Sequence, residues 1–446
     1  MKKVYIETYG CRMNLCDSEI ILNILSGHGY EYTDVPIDAD CVVINGCSVR
    51  EIGHTKVFER IGELEKILNP EVILIIVGCI ATQINESFFK LYPRVQLIVY
   101  PTAYKHIIES INILSQKQLK HLYVKGENVN EIYDKQFPLR LLEDKVTAAV
   151  TIMKGCDMNC SYCIEPYTRG GRVNRSYEGI MAEVRDIREK GYQEITLFGH
   201  IVDLWQGEHE GVAMNFAQLL SDIAASCPEQ RIKFISSHPL TFTDEIARVM
   251  ARHKNIMRVV HLPFQSGSDK ILQMMNRKYT AEQFVNRVDS IRRIIPDINI
   301  VTDVIVGYPD EDEADFDATI SVLTKMRFTN VNVFMFSMRR GTPTYLKYSD
   351  NVPVNVKANR RQIVLSLIDE IRRDAAFKLI GTKQHIIVES QCPNTSYWTG
   401  RDIYHRTVSF MPAPNMKVNI GGHYVVIIKR EQSNNLYGEL CHENTY

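Results

Sequence analysis

The apolar and polar positions of the first hundred residues fall into a repeated unit, a short strand-like run followed by a stretch of helical periodicity. Lys3–Glu7 is predicted as a strand and Asp17–Ser26 as a helix. Cys41–Ile44 predicts a second strand ending at Asn45-Gly46-Cys47, and Glu51–Leu68 a second helix. Val72–Val77 (VILIIV) predicts a third strand ending at Gly78-Cys79. Strands alternating with helices read as an α/β unit with a parallel sheet, here Met1 to about Pro138. In such sheets ligands collect beyond the C-terminal ends of the strands. Cys11, Cys47 and Cys79 each follow a predicted strand, so they are expected to meet at one edge of one sheet.

A second segment runs from about Lys145 to Leu379. Strand-like stretches recur at Ala148–Met153, Glu194–Phe198, Lys233–Ile235, Arg258–His261, Asn299–Val306 and Asn332–Phe336, with helices such as Glu178–Lys190 and Thr280–Ile294 between them. Six strand–helix repeats predict a parallel barrel or partial barrel, with chemistry on the loops at the C-terminal face of its strands. From Thr382 to Tyr446 the pattern changes to short strands (His385–Glu389, Thr407–Phe410, Tyr424–Lys429, Tyr437–Leu440) between turn residues that include Gly400 and Gly421-Gly422. That predicts a small all-β barrel. The hydrophilic stretch Lys117–Lys135 reads as a linker. The fold class is therefore α/β: a parallel-sheet domain (1–138), a partial (β/α)6 barrel (145–379) and a small β-barrel (382–446).

Length and composition fit this division, since 446 residues leave room for two or three domains. The 45% hydrophobic and 24% charged content is that of a globular protein. The longest apolar runs are too short to cross a bilayer, and MKKVYIETYGC lacks the apolar stretch of a secretory signal. A cytoplasmic protein with no membrane contact is expected. The formal net charge of −1 supplies no global field toward nucleic acid, so any RNA binding rests on local patches or shape. Eleven cysteines in a reducing compartment point to metal or redox chemistry where they cluster, rather than to disulfides.

Cys156, Cys160 and Cys163 have C-x3-C-x2-C spacing. Three thiolates so spaced can bind three irons of a [4Fe–4S] cube and leave the fourth open. An open iron can chelate the amino and carboxylate groups of S-adenosylmethionine (SAM). Zinc would ask for four ligands and paired C-x2-C spacing, and no fourth cysteine or histidine lies nearby. Cys11, Cys47 and Cys79 are each preceded by glycine (Gly10, Gly46, Gly78), which lets the backbone turn closely around a bulky group. From spacing alone they are either ligands of a second cluster or buried strand-end residues, and Cys16 and Cys41 are nearby spares that the pattern does not exclude as ligands. Cys227, Cys392 and Cys441 belong to no motif and read as structural.

These motifs resemble the radical SAM methylthiotransferase family, in its MiaB branch. The resemblance is carried by Glu7-Thr8-Tyr9-Gly10-Cys11-Arg12-Met13-Asn14, by Asn45-Gly46-Cys47-Ser48-Val49-Arg50-Glu51 and by Gly78-Cys79. It continues through Gly155-Cys156 to Cys163 and Pro166-Tyr167-Thr168-Arg169-Gly170. Later matches are Ser237-His238-Pro239, His261-Leu262-Pro263-Phe264-Gln265-Ser266-Gly267-Ser268, Arg277-Lys278-Tyr279-Thr280 and Asp303 to Pro309. It implies two [4Fe–4S] clusters, an auxiliary one on Cys11, Cys47 and Cys79 and a radical-generating one on Cys156, Cys160 and Cys163. It also implies a TRAM-like C-terminal barrel that binds RNA. The implied reaction places a methylthio group on carbon 2 of N(6)-dimethylallyladenosine at position 37 of tRNA, in the anticodon stem-loop. One SAM gives the 5′-deoxyadenosyl radical and a second donates the methyl group. An electron donor such as flavodoxin or ferredoxin, a sulfur donor and a monomeric state go with it. The target base is expected out of its stack, in a cavity that both open irons face. Alternatives are a methylthiotransferase for threonylcarbamoyladenosine tRNA or a ribosomal-protein aspartate, or an iron–sulfur RNA-binding protein without SAM turnover.

Candidate SAM contacts are Gln265, Ser266 and Ser268 after one barrel strand, Ser237 (beside Ser236) after another, and His200 after a third. Serines at such places also serve as turn formers and helix caps. Arg169, with Arg172 and Arg175, forms a basic run after the cysteine loop, read either as binding SAM's carboxylate or tRNA phosphates or as a solvated loop. Asp303 and Glu183 are expected to be barrel-internal partners of arginines. From Thr382 on, six Lys/Arg stand against five Asp/Glu, a weak footprint for RNA; Tyr397, Trp398, Tyr404 and Phe410 are candidates for base stacking or for core. The chain departs from the family at Gly199-His200-Ile201-Val202-Asp203, where Gly-Gln-Asn-Val-Asn is usual, and at Gly46, where threonine is usual.

Overall fold

In the computed structural model, β3 (Cys41–Gly46) and β4 (Ile73–Val77) are buried at every position, as continuous apolar runs in a parallel sheet must be. They lie at the centre of a six-stranded sheet with β1 (Lys2–Tyr9), β2 (Tyr30–Tyr32), β5 (Val95–Val99) and β6 (Leu122–Val124), in the order β2-β1-β3-β4-β5-β6. All pairings are parallel. Ile20, Ile21 and Leu25 pack on one face with Ile107, and Val57, Ile61 and Leu64 on the other. The structure describes residues 1–48, 51–116, 119–126, 137–140, 146–393, 395–412, 416–432 and 435–441, without the side chains of 51–54. Most of the expected linker 117–135, Val49 and Arg50 of the second signature, and the boundary residues 141–145 lie outside the described residues.

The chain forms two compact units, one of residues 1–143, 151–157 and 163–183, the other of 144–150, 158–162 and 184–446. In the first unit the helix expected from Asp17 begins earlier, at Arg12, because Cys11 and Asn14 form its reciprocal cap. Asp17 lies wholly buried within that helix. The stretch Ala148–Met153 divides into β7 (Thr147–Thr151) and β8 (Met153–Lys154), the latter pairing antiparallel with β9 (Val173–Asn174).

In the second unit, β7, β10 (Glu194–Phe198) and β13 (Arg231–Phe234) form one sheet, with β10 and β13 parallel, and β14 (Val259–His261), β15 (Asn299–Val306) and β16 (Asn330–Met335) form a parallel one. A parallel bridge from Ile232 to Ile256 leads from one set to the next. Together they are the six strands of a partial (β/α)6 barrel. Burial along β15 alternates, so every second side chain faces the barrel interior. A hairpin of β11 (Gln206–His209) and β12 (Val212–Asn215) follows β10.

The C-terminal segment closes into a five-stranded barrel. Its strands are β17 (Lys383–Gln391), β18 (Trp398–Asp402), β19 (Thr407–Met411), β20 (His423–Gln432) and β21 (Asn435–Leu440), in the order β17-β18-β19-β21-β20. Gly400, expected in a turn, is inside β18, where a Cβ would stand 2.3 Å from the Ile387 carbonyl oxygen. Glycine there marks close strand approach, not a break. Within the second unit this barrel docks on the strand starts: the Tyr404 hydroxyl donates to Asp297 (2.7 Å) and the Asn299 amide to the Tyr404 carbonyl (2.9 Å). The Tyr404 hydroxyl is thus bound at the seam, and Phe410 is core, which removes Phe410 as a stacking candidate. Among the described residues no helix is long and apolar enough to cross a membrane.

Candidate cysteine centres

The register of the first sheet aligns Tyr9 with Gly46 and Asn45 with Val77, so β1, β3 and β4 end level with one another. Cys11, Cys47 and Cys79 follow directly, at the C-terminal ends of three adjacent strands. Buried amides tie these ends together. The Asn14 side chain donates to Asn45 Oδ1 (2.8 Å), and Asn45 donates to the Asn14 carbonyl (2.7 Å) and Ser18 Oγ (2.9 Å). Asn14 Oδ1 in turn accepts from the Cys11 backbone N–H at 3.3 Å. Gly78 adopts φ +87°, and a Cβ there would lie 2.2 Å from Asn45 Oδ1, so only glycine fits. At Gly46 a Cβ would stand 2.6 Å from Ile80 Cγ2. The departure from the family's threonine is thus matched to a β-branched neighbour.

Cys11 and Cys47 are close enough to share a hydrogen bond, which with the positive charge of Arg169 lowers the Cys11 thiol to about 6 against the opposing effect of burial. Burial raises Cys79 to about 11, with Arg169 opposing. Arg169 Nε donates to Cys79 Sγ at 3.0 Å, and Nη1 forms an ion pair with Asp17. Lys154 Nζ reaches the other Asp17 oxygen at 2.6 Å and Tyr104 donates to Asp17 at 3.2 Å. Against the upward push of burial, Arg169 and Lys154 hold the Asp17 carboxyl below its ordinary range. The basic run after the cysteine loop is thus largely interior. Arg169 is 3% exposed and bonded to Asp17 and Cys79. Arg175 is buried against Glu183 (2.5 Å) and the Thr151 carbonyl (2.9 Å). Arg172 pairs with Asp157 at 3.3 Å.

Three thiols at three aligned strand ends, beside a buried guanidinium, suit three irons of a [4Fe–4S] cube with the fourth left open. Among the described residues no three His, Cys, Asp or Glu side chains stand together at metal-binding distance, so the fit rests on this donor set and its strand-end placement.

The second cysteine triad occupies one loop after β8. In the first unit, the Cys156 N–H bonds to the Gly170 carbonyl (3.3 Å), and a Cβ at Gly155 would meet the Gly171 oxygen at 2.0 Å. In the second unit, Cys160 Sγ accepts from Arg277 Nη1 at 3.3 Å. Arg277 is buried, with Nε on the Tyr279 hydroxyl (3.1 Å) and Nη2 on the Pro263 carbonyl (3.0 Å). Beside it, burial and then Arg277 hold His238 neutral, lowered to about 2. The contacts of Arg169 and Arg277 with cysteine sulfur were not foreseen. The arginine of each signature was visible, but not what it would touch.

The SAM candidates divide. Gln265 follows β14 with φ +75°, and its side-chain oxygen is buried without a hydrogen-bond partner; an unsatisfied buried acceptor is rare and suits a bound donor. Ser268 caps the helix Asp269–Met274 through Ile271 N–H and donates to Asp315 at 2.6 Å. Ser266 is wholly buried, accepting from the Ser268 N–H. Both serines therefore help to form the turn. Ser237 is buried and donates to Asp203 at 2.8 Å. His200 sits half-buried after β10. Asp203, also unforeseen, accepts from the His238 N–H (2.8 Å) and the Thr241 hydroxyl (3.1 Å) as well, and burial raises it to about 6. Glu183 partners Arg140 and Arg175 as expected. Asp303 instead accepts from His261 (3.0 Å) and Asn332 (2.8 Å), not from an arginine.

A parallel partial barrel whose first strand leads into a C-x3-C-x2-C loop defines the radical SAM class, and residues 150–323 match the radical SAM superfamily. Residues 3–100 match a family described as uncharacterized protein family UPF0004. The radical SAM methyltransferase TsrM from Kitasatospora setae shares the fold at TM-score 0.57 and 13% identity, over 78% of each chain. A relative from Azobacteroides pseudotrichonymphae, named tRNA-2-methylthio-N(6)-dimethylallyladenosine synthase, is 36% identical over 98% of this chain and 97% of its own. One of the same name from Fervidobacterium nodosum is 35% identical over 98% and 99%. The chain belongs to the family of these synthases, the MiaB branch of the radical SAM methylthiotransferases. It is an enzyme of that kind, working with iron–sulfur and SAM.

Proposed function

We propose that this enzyme adds a methylthio group to carbon 2 of N(6)-dimethylallyladenosine at position 37 of tRNA. The observation that supports the reading is the placement of Cys11, Cys47 and Cys79 just after three level strand ends, a second cysteine triad besides the radical SAM loop. When bound, a [4Fe–4S] cluster with SAM on its open iron supplies a radical able to take hydrogen from an unactivated carbon. Cys156, Cys160 and Cys163 hold three of its irons, and Arg277 donates to the sulfur of Cys160. Gln265 offers its buried carbonyl oxygen to a donor group of SAM. Cys11, Cys47 and Cys79 would hold the second cluster, which would supply a site for the sulfur to be methylated by a second SAM, with release of S-adenosylhomocysteine. Residues 1–138, 145–379 and 382–446 serve as the auxiliary-cluster, radical and TRAM-like RNA-binding domains. The enzyme acts in the cytoplasm as a monomer, with electrons from flavodoxin or ferredoxin and sulfur from a separate donor.

The test is nucleoside mass spectrometry. Anaerobically reconstituted enzyme with SAM, reductant and sulfide is offered tRNA carrying dimethylallyladenosine, tRNA carrying threonylcarbamoyladenosine, or ribosomal protein. Methylthiolation of the first alone is expected, and turnover confined to either other substrate overturns the assignment.

A further inference from the structure

Arg169 is an ion-paired arginine whose bonding is incomplete. Nη1 belongs to Asp17 and Nε to Cys79 Sγ, while Nη2, buried with the rest of the side chain, has no hydrogen-bond partner. Nε and Nη2 share one edge of the planar guanidinium, the edge that binds an anion through two parallel N–H bonds. One prong of that fork is on a cysteine of the auxiliary triad and the other is open. Leaving a charged donor buried and unsatisfied costs more than an ordinary hydrogen bond contributes. The arginine is held in place regardless: Asp17, shared with Lys154 and Tyr104, fixes its far side. Glu165, whose charge also acts on Cys11 and Arg169, is partly exposed.

We propose that Arg169 is a positioning residue for sulfur: its open N–H beside Cys79 receives an anionic sulfur carried at the Cys11–Cys47–Cys79 site. The proposal rests on the reading that these cysteines hold a cluster. The anionic sulfur has two sources, an inorganic sulfide of the cluster itself or a hydrosulfide arriving for transfer. An N–H bond to either stabilises negative charge on sulfur. In the first case it raises the cluster's reduction potential, and in the second it strengthens hydrosulfide binding.

The experiment uses the full-length chain, reconstituted anaerobically, as wild type, Arg169→Gln and Arg169→Lys. Iron is counted, the midpoint potentials of both clusters are followed by electron paramagnetic resonance, and hydrosulfide is titrated onto the auxiliary signal. Wild type and Arg169→Gln are both expected to hold about eight irons. In Arg169→Gln the auxiliary potential moves negative if the cluster's own sulfide is the partner, while that of the other cluster stays put. If arriving sulfur is the partner, the hydrosulfide dissociation constant rises roughly tenfold to a hundredfold, the factor one charge-assisted hydrogen bond carries. Arg169→Lys keeps the charge but not the fork, so it restores potential better than affinity. Full iron with neither readout changed in Arg169→Gln overturns the proposal and leaves the cluster standing. Should Arg169→Gln fail to load iron, Arg169→Lys decides, and a wild-type auxiliary potential together with wild-type hydrosulfide affinity there overturns it. About four irons in the wild type, none lost in Cys11→Ala, overturns the parent reading and this one with it.

Discussion

Asp203 stands where the family has asparagine, and its surroundings give the change a measurable consequence. Its carboxylate gathers Ser237 and Thr241 hydroxyls and the His238 N–H, joining the loops after β10 and β13. Burial outweighs those bonds and raises it from 3.8 to about 6. The folded chain therefore binds this proton more tightly than the unfolded chain, so stability falls as pH rises from about 4 to about 6. At 1.36 kcal/mol per unit, the charged form at pH 7 costs roughly 3 kcal/mol. Asp203→Asn removes that cost and keeps the geometry, its oxygen accepting from His238 N–H and Thr241 and its amide donating to Ser237. Asp203→Ala instead leaves the His238 N–H unpaired and should destabilise by about 1–3 kcal/mol. Urea unfolding of the second unit, followed anaerobically at pH 5 and pH 8, tests this. Asp203→Asn should be more stable than wild type at pH 8, and the gap should narrow at pH 5. An Asp203→Asn chain that is weaker at pH 8, or keeps the wild-type pH slope, refutes the reasoning.

Four other outcomes follow from the geometry. Cys11→Ala, Cys47→Ala or Cys79→Ala should lower iron from about eight to about four per chain while 5′-deoxyadenosine still forms, whereas Cys160→Ala should abolish its formation; product analysis separates the two. Gly46→Thr should destabilise by about 1–3 kcal/mol through its clash with Ile80, and Ile80→Leu in the same chain should recover part of that loss, seen as non-additivity in a double-mutant cycle. Ser268→Ala should cost about 1 kcal/mol of stability as a lost helix cap, with SAM affinity unchanged by calorimetry. Gln265→Leu, by contrast, should weaken SAM binding about tenfold, the worth of one hydrogen bond to a buried acceptor.

The order of elements and the strand-end placement of Cys11, Cys47 and Cys79 were legible in the sequence because they depend on local pattern. Period-two and period-3.6 burial, glycine before each strand-end cysteine and the C-x3-C-x2-C spacing are all short-range features. The fold class, with its six barrel strands and C-terminal β-barrel, followed from those patterns. What the arginines and serines touch was not legible, because it is set by elements far apart in the chain. Arg169 reads as one of a basic run until Asp17, 152 residues away, draws it inside. That Ser266 and Ser268 bond to Thr319 and Asp315 of the helix Glu313–Met326 is likewise visible only in the fold. Gly400 read as a turn until β17 came to lie against it. By itself, then, the sequence determined where along the strands and loops the two sets of three cysteines fall. Tertiary packing decided which charges are buried beside them, since the cost of burying a charge is settled only by the partner the fold brings to it.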